Sequence, residues 1–387
     1  MDDGAVLRAD EFSARCAGLQ AAMADAGLDA LLLTTASDIF YVTGFLTRFW
    51  ESPTRPWFLV VPARGAPVAV IPAIGRDLMA RTWITEIRSW NAPDPVDDGV
   101  TLLSGTLCDL VPDGGRIGVP MGPETQLRMP LADHARVAAG IGGRSFADAT
   151  DPVRRVREIK SEGEIGLIRK TCSIAGAAFA RVPEFTRAGR PLAEVFRSFQ
   201  IALLEEGADW VSYLAGGAGP GGYGDVISPA DGRPLAAGDV LMLDCGAVRN
   251  GYFCDFDRNY AVGRVDAAAQ RAHAALHEAT DAALGKAAPG LRASDLHRIM
   301  HDSLREAGQI PLGGRLGHGL GIALTEWPSL TERDDTPLRE GMVLTLEPGV
   351  EIAPGRIMVH EENIVLRAEG CELLSPRAPA QLPVIAP

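Results

Sequence analysis

The chain has 387 residues, of which 47% are hydrophobic and 22% charged; this excludes a disordered protein and is typical of about two domains. Its net charge of −13 makes the average surface repel phosphate, so we expect no nucleic-acid partner and no membrane partner. Six cysteines without a CxxC pair exclude a disulfide scaffold. An acidic start, MDDGAVLRADEF, and the lack of a run of about 18 apolar residues predict a cytoplasmic protein.

The first part of the chain is predicted to form a small α/β domain. Apolar residues at helical spacing predict a first helix that ends at Gly27; they are Phe12, Cys16, Leu19 and Met23. The apolar run DALLLTT then predicts a buried strand. Short apolar runs bounded by Pro and Gly continue to about residue 150. We place the boundary at residue 153, which gives domains 1–153 and 154–387.

The second domain is predicted to contain one arrangement twice. Two helices near 158–181 and 191–206 precede the hairpin GDVLMLDCGAVRNGYFCDFDRNYAVG. Two more, near 266–286 and 293–307, precede the hairpin GMVLTLEPGVEIAPGRIMVHEENIVL. Such halves indicate a duplicated unit, whose pseudo-twofold axis would bring the two hairpins together.

The first hairpin carries three carboxylates that we expect on one face. Asn250-Gly251 is a strong signal for a two-residue turn. With that turn, Asp244 lies opposite Asp257 and diagonal to Asp255, since side chains alternate with a period of two. Burying like charges together is costly unless a cation neutralises them. The alternative for such an Asp pair alone is a solvated polar face.

The second hairpin and the segment before it add further candidate ligands. Thr345 and Glu347 share one face, as do Glu361 and Asn363 on the return strand. His360 and Glu362 then point the other way, so we do not expect His360 to be a ligand. In GRLGHGLGIALTEW, His318 is flanked by glycines, which allow close backbone approach and suit an imidazole that binds metal.

Together these residues predict a site for two divalent cations. Four carboxylates balance the charge of two such ions, and the oxygen-rich set tolerates manganese, iron, cobalt or zinc. Two ions would lower the pKa of a water between them and polarise a carbonyl, which is the chemistry of metal-assisted hydrolysis. The predicted ligands are Asp244, Asp255, His318, Glu347 and Glu361.

The motifs LDCGAVRNGYFCDFDR, GHGLG, TLEPG and HEEN, in this order, resemble those of the pita-bread metallohydrolases, the family of aminopeptidase P, prolidase, methionine aminopeptidase and creatinase. The segments GLDALLLTTASDIFYVTGF and REIKSEGEI resemble the creatinase-type N-terminal domain and its linker helix. The resemblance covers nearly the whole chain. It implies an α/β (α+β) fold, with a small creatinase-type N-terminal domain before a pita-bread catalytic domain.

The resemblance also implies a role for each ligand. Asp244 would chelate one ion, Asp255 and Glu361 would bridge the two ions, and His318 with Glu347 would complete the second site. Glu347 would in addition carry the proton during catalysis. His318 and Glu347 are therefore the predicted catalytic residues.

Three positions depart from the pattern of the family's peptidases. A second His usually follows the ligand His by seven residues, where this chain has Thr325. Another His is usual in the loop before the first hairpin, near Ile227, and an Arg is common two residues before the last Glu, at Val359. The groups that hold a peptide carbonyl and assist the leaving nitrogen are thus missing.

Three functional hypotheses follow. The first is hydrolysis of a C–N amide bond in a dipeptide or a peptide-like small molecule, as in Xaa-Pro peptidases. The second is an enzyme acting on a compatible-solute-like molecule, similar to ectoine hydrolase or the sulfoniopropionate lyase; Gly246, where that lyase is expected to carry an Asp, weakens the lyase reading. The third is a catalytically silent binding protein, against which the intact ligand set argues.

Several residues are predicted around the metal site. In a homodimer, the segment RFWESPTRPWF of one subunit would reach the partner's active site; the alternative is a plain core and surface role. Asp257 is predicted to be an additional ligand or a partner of Arg258. The predicted substrate contacts are Arg48, Trp50, Arg55, Trp57, Thr325, Glu326 and Trp327.

Three weaker signals are interpreted as structural. Residues 217–222 fit GxGxxG, but no helix is predicted to follow, so we expect no dinucleotide site. The pairs His273/His277 and His297/His301 have helical spacing without an evident third ligand, which favours a solvated helix flank.

Overall fold

The computed structural model describes residues 7–52 and 55–386. It divides into two compact units, an N-terminal unit that ends at Arg157 and a C-terminal unit that starts at Glu158. In the described residues, no helix is both long enough and apolar enough to span a membrane.

The N-terminal unit is a mixed sheet with helices, as its alternating apolar runs and helical patterns predict. The described strands are β1 (Ala30–Leu33), β2 (Phe58–Pro62), β3 (Val68–Pro72), β4 (Glu86–Trp90), β5 (Arg116–Val119) and β6 (Ser145–Asp148). The described helices are α1 (Ala9–Ala26), α2 (Ala36–Thr43), α3 (Arg76–Met79), α4 (Val100–Leu110), α5 (Leu131–Gly140) and α6 (Thr150–Arg157). Two 3-10 turns are Arg48–Glu51 and Ala73–Gly75.

The sheet order is β4-β3-β2-β1-β5-β6, with β1 antiparallel to β2 and parallel to β5. The strand predicted from DALLLTT is therefore β1 at the centre of the sheet, where all four residues are buried. The first helix also forms as predicted. It buries Phe12, Cys16, Leu19 and Met23 and ends at Gly27, whose φ of 63° is the left-handed conformation that glycine adopts readily.

The N-terminal unit extends past the boundary predicted at residue 153, because α6 continues to Arg157. The guanidinium of Arg157 forms a 2.7 Å ion pair with Asp38 of α2, and both side chains are buried. The hydroxyl of Tyr41 also donates to the carbonyl of Val156. These contacts fix the end of α6 within the N-terminal unit.

The C-terminal unit contains the helices and hairpins predicted from the sequence. Its described helices are α7 (Glu162–Ala180), α8 (Val182–Phe185), α9 (Leu192–Glu205), α10 (Ala267–Leu284) and α11 (Ala293–Glu306). Its described strands are β7 (Trp210–Pro220), β8 (Asp239–Arg249), β9 (Tyr252–Phe253), β10 (Phe256–Val262), β11 (Ile310–Pro311), β12 (His318–Gly319), β13 (Glu326–Ser329), β14 (Val343–Leu346), β15 (Gly349–Ala353), β16 (Arg356–Val359), β17 (Glu362–Arg367), β18 (Gly370–Leu373) and β19 (Val384–Ile385).

Two sheets carry the predicted metal ligands. One has the order β19-β10-β8-β7, with β9 paired to β8, and the other has the order β13-β12-β14-β17-β18. Helices α10 and α11 bury a stripe of Ala, Leu and Met against the second sheet, in a core that contains Leu276, Met300 and Leu344. Each predicted half thus has two long helices followed by a hairpin, in the predicted order.

A buried ion pair ties the start of the C-terminal unit to the segment after His318. The Lys160 ammonium lies 3.0 Å from Glu326, and both side chains are almost fully buried. The same carboxylate accepts the backbone N–H groups of Ile322 and Ala323 at 3.1 Å. Gly321 packs against this pair so closely that a Cβ atom would lie 3.0 Å from the carboxylate of Glu326.

We expect Lys160→Met to lower the free energy of unfolding of the C-terminal unit by about 3–5 kcal/mol, because it leaves the Glu326 charge buried without its cation. Native-state hydrogen exchange of amides in residues 158–386 measures this. Lys170→Met, at an exposed position on α7, is the control. Lys160→Met combined with Glu326→Met should recover part of the loss; a single variant within 1 kcal/mol of the control would contradict the prediction.

Candidate metal centre

The first hairpin has the predicted register. Asn250 and Gly251 form a two-residue turn with φ values of 50° and 82°, and Arg249 pairs with Tyr252 across it. Further along the same ladder Asp244 lies directly opposite Asp257. Both side chains therefore share one face of the β8–β10 pair, together with Asp255 two residues before Asp257.

The second hairpin aligns two more carboxylates. Thr345 pairs with Asn363, and the backbone N–H of His360 donates to the carbonyl of Pro348 at 3.1 Å. This register sets Glu347 across from Glu361. The Asn363 side chain links the two hairpins, because its Oδ1 accepts the N–H of Asp255 at 3.0 Å.

His360 and Glu362 face away from these carboxylates, as predicted. The His360 ring accepts a 2.8 Å hydrogen bond from Arg377 and lies 3.4 Å from Glu362. Burial lowers the pKa of His360 to about 4, so the ring is neutral near pH 7. The position of His360 on this opposite face agrees with the prediction that it is not a ligand.

His318 lies on β12 in a segment where glycines let strands approach closely. A Cβ atom on Gly317 would collide with the carbonyl of Thr345, and one on Gly319 would collide with the carbonyl of Trp327. The His318 Nδ1–H donates to the carbonyl of Gly319 at 2.8 Å. With its proton on Nδ1, the ring presents Nε2 as the atom that could bind a metal ion, 3.3 Å from Asp255 Oδ2.

The carboxylates form one buried and strongly repulsive cluster. One ligand atom from each of Asp255, His318 and Glu361 lies within 4.8 Å of the other two. Burial, followed by repulsion from its neighbours, raises the pKa of Asp244, Asp255 and Glu361 well above the ordinary range. Burial also raises the pKa of Glu347, while His318 and Arg315 oppose this effect.

The donor set fits divalent cations. Within the described residues, three buried carboxylate oxygens have no hydrogen-bond partner, and they belong to Asp244, Asp257 and Glu361. Unpartnered buried oxygens are costly in a native protein unless a cation or water satisfies them. Carboxylate oxygens with one imidazole match the preferences of several divalent metals.

Arg258 does not pair with the side chain of Asp257, which corrects one of the two roles predicted for Asp257. The guanidinium of Arg258 points to the opposite face, where it lies 3.0 Å from Glu362. It also donates to the backbone carbonyls of Asp257 and Glu361. Arg258 therefore supports the two hairpins from behind the carboxylate cluster.

The predicted substrate contacts after His318 differ in environment. Thr325 is exposed, whereas Glu326 is buried and bound to Lys160 and two backbone amides. Trp327 is partly buried on β13. The Glu326 carboxylate thus has a structural role in this segment, rather than being exposed for contact with a substrate.

The predicted substrate contacts of the N-terminal unit also differ in exposure and packing. Arg48 is largely exposed and pairs with Glu51 at 2.8 Å. The ring of Trp50 lies 5.5 Å from that of Trp57, and the guanidinium of Arg55 lies 5.0 Å from the ring of Phe49. Trp57 is only 2% exposed and packs in the core of this unit. This is the core role predicted from the sequence as the alternative to substrate contact.

Three residues beside the cluster were not identified from the sequence. The Tyr213 hydroxyl donates to the carbonyl of Val226 at 3.3 Å, and burial together with the charge of Asp244 raises the pKa of Tyr213 above its ordinary range. Leu324 packs so tightly on Gly246 that a Cβ atom there would collide with it. Arg315, three residues before His318, exerts its charge on Asp255 and Glu347. Arg315 and Leu324 both lie in GRLGHGLGIALTEW, and this position near His318 was a signal; Tyr213 lies in a segment without any motif.

The three weaker signals correspond to structural features of the C-terminal unit. Residues 217–222 end β7 and enter a turn rather than a helix. The solvated helix flank predicted for His273 and His277 is wrong, because His273 is 2% exposed and the two rings contact the carbonyls of Pro379 and Ala378. His297 and His301 stack on α11 with ring centroids 5.9 Å apart, and within the described chain they join no group of three metal-binding side chains.

Comparison with known proteins shows the family to which the chain belongs. Residues 166–369 match the family model of metallopeptidase family M24, and residues 15–159 match that of the creatinase/prolidase N-terminal domain. The probable dipeptidase PepE of Mycobacterium tuberculosis is 32% identical over 381 residues, which cover 97% of each chain. The Xaa-Pro dipeptidase of Pyrococcus horikoshii is 30% identical and covers 90% of this chain and 93% of its own.

Solved structures show the same fold over the whole chain. The crystal structure of dipeptidase PepE from Mycobacterium ulcerans has a TM-score of 0.84 at 27% identity, covering 98% of this chain and 100% of its own. The X-Pro aminopeptidase of Thermotoga maritima has a TM-score of 0.81 at 25% identity, covering 96% and 99%. The chain therefore belongs to metallopeptidase family M24 and carries a creatinase/prolidase-type N-terminal domain.

Proposed function

We propose that this chain is a dinuclear metallopeptidase that hydrolyses the peptide C–N bond of dipeptides, with Xaa-Pro dipeptides as the first substrate class to test. The observation that carries the proposal is the buried cluster of four carboxylates beside the Nε2 atom of His318. Similarity to proteins named dipeptidase and Xaa-Pro dipeptidase supports the substrate class.

Five side chains would hold the two ions. Asp255, His318 and Glu361 surround one position, and Asp244 extends the set on the adjoining strand. Glu347 lies across from Glu361 and completes it. Divalent cations in this place supply Lewis acidity, which activates water and polarises a carbonyl.

Glu347 is suited to hold and return a proton. Burial raises its pKa above that of an ordinary glutamate, whereas His318 and Arg315 lower it. A carboxyl with a raised pKa accepts a proton more readily near neutral pH than an exposed one. Glu347 would accept the proton of the attacking water and deliver it to the leaving nitrogen.

Two neighbouring residues favour a short peptide with a free carboxylate. Arg315 is exposed, and the carbonyl of the next residue, Leu316, accepts the Glu347 N–H at 3.0 Å. Its guanidinium makes no hydrogen bond or ion pair with another described residue and can pair with a carboxylate.

Leu324 adds an apolar surface over Gly246, opposite Asp255. It occupies the space that an acidic side chain at position 246 would need, so we do not propose the lyase.

We expect Arg315→Ala to lower kcat/KM for Xaa-Pro dipeptides by about 10–100-fold, because a charge-assisted hydrogen bond to the substrate is lost. The matching Xaa-Pro amides, which lack the carboxylate, should be hydrolysed equally well by the variant and the wild type. Arg305→Ala, an exposed change on α11, is the control. Equal losses for acid and amide would assign Arg315 a structural role; no dipeptide hydrolysis by the metal-loaded wild type would refute the proposed function.

We expect His318→Ala to bind one metal ion fewer and to lose turnover, because its Nε2 atom is the only nitrogen ligand in the proposed set. The fold should persist, since the carboxylates lie on hairpins held by their own ladders. Metal content after dialysis, circular dichroism and dipeptide hydrolysis measure the three effects. His301→Ala on α11 is the matched control. Full activity of His318→Ala would refute the dinuclear mechanism.

We further propose a cytoplasmic homodimer. The six cysteines are free thiols, which is usual in a reducing compartment. Exposed Arg48 and the aromatic residues near it belong to types that are enriched in binding hot spots. In a dimer, this segment would contact substrate in the site of the partner subunit.

Subunit mixing tests this arrangement. Arg55→Ala should impair turnover without loss of metal, and light scattering should give twice the 41.0 kDa mass of the chain. When this variant is mixed with His318→Ala, each hybrid would contain one site with both changes and one intact site. Activity should therefore partly return. A monomeric mass, or no recovery after verified subunit exchange, would contradict the proposal.

A further inference from the structure

Asp257 is a buried carboxylate for which the proposed five-ligand centre has no role. Its side chain is 1% exposed and lies directly opposite Asp244 on the face that carries Asp255. The adjacent Arg258 turns to the other face and binds Glu362. Asp257 therefore has no basic side chain as its hydrogen-bonding partner in the part of the chain that the structure describes.

The carboxylate of Asp257 is held from one side only. Asn259 donates to its Oδ2 at 2.9 Å. Asn259 is itself fixed, because it donates to the carbonyl of Val359 at 2.7 Å and accepts the Tyr223 hydroxyl at 3.1 Å. In contrast, Oδ1 of Asp257 has no hydrogen-bond partner among the described residues.

The unpartnered oxygen belongs to the same electrostatic cluster as the proposed ligands. The charge of Asp257 acts on Glu361, and the charges of Asp244 and Glu347 act on Asp257. Oδ1 of Asp244, on the strand opposite, is likewise buried and without a partner in the described chain. Two orphaned oxygens on facing residues of one ladder match two ligand positions of a single cation.

We infer that Asp257 is a sixth ligand of the metal centre, which coordinates through Oδ1 the ion that Asp244 holds. This inference rests on the proposed dinuclear site and adds a fifth carboxylate to it. Five carboxylates and one imidazole make a set dominated by hard oxygen donors, and such sets suit manganese better than zinc. Asp257 would thus bias the centre toward Mn²⁺.

Metal titration of the full chain tests the inference. After chelation and dialysis, the wild type should bind two Mn²⁺ by calorimetry. Asp257→Asn keeps the shape and one acceptor oxygen but removes the charge. It should weaken Mn²⁺ binding at one of the two sites by more than about 100-fold. Removing a group that only hydrogen-bonds a metal ligand is expected to weaken binding by about 10–100-fold. The loss should be smaller for Zn²⁺, and the visible spectrum of bound Co²⁺ should change with its coordination.

Asp239→Asn is the matched control, because Asp239 is equally buried on β8 but pairs with Arg233 at 3.0 Å. Asp257→Thr provides a second variant of similar size if Asp257→Asn does not fold. Wild-type affinities, or a loss within about 100-fold with an unchanged Co²⁺ spectrum, would overturn direct ligation. A wild type that binds fewer than two ions would instead refute the dinuclear site itself.

Discussion

Repulsion among buried carboxylates is the constraint on which the C-terminal unit depends. Asp244, Asp255, Glu347 and Glu361 come from two hairpins, and burial raises the pKa of each. Repulsion from neighbouring carboxylates raises the pKa of Asp244, Asp255 and Glu361 further. Bringing such charges together opposes folding unless protons or cations neutralise them. Cations that bind only the folded hairpins would therefore stabilise the same arrangement that they need for catalysis.

On the opposite face of the same hairpins, a buried carboxylate is neutralised by protein side chains. Burial alone would raise the pKa of Glu362, but Arg258 and His360 lower it below the ordinary range. Arg258 also donates to the carbonyl of Glu361 at 2.9 Å, so one guanidinium joins the two hairpins. The adjacent residues Glu361 and Glu362 thus lie on opposite faces. Glu361 belongs to the carboxylate cluster of the proposed metal centre, and the charge of Glu362 is neutralised by protein groups.

Local rules predicted the parts of the site that depend on register. The Asn250-Gly251 turn and the period of two were enough to set Asp244 opposite Asp257, as observed. Contacts between distant segments were not predictable in this way. Lys160 and Glu326 are separated by 166 residues, and no spacing rule connects them. The interaction of Arg258 with Glu362 depends likewise on how one hairpin packs on the other. The prediction from sequence that Arg258 pairs with Asp257 was therefore wrong.

The charge balance of the centre connects Arg315 with Asp257. If Asp257 is a ligand, five carboxylates face two divalent cations and leave one negative charge, which the positive charge of Arg315 offsets. That charge also lowers the pKa of Glu347. A substrate carboxylate paired with Arg315 would cancel part of this effect, because opposite charges in contact reduce each other's field at a third group. Arg315 would thus both balance the charge of the centre and bind the carboxylate of a dipeptide.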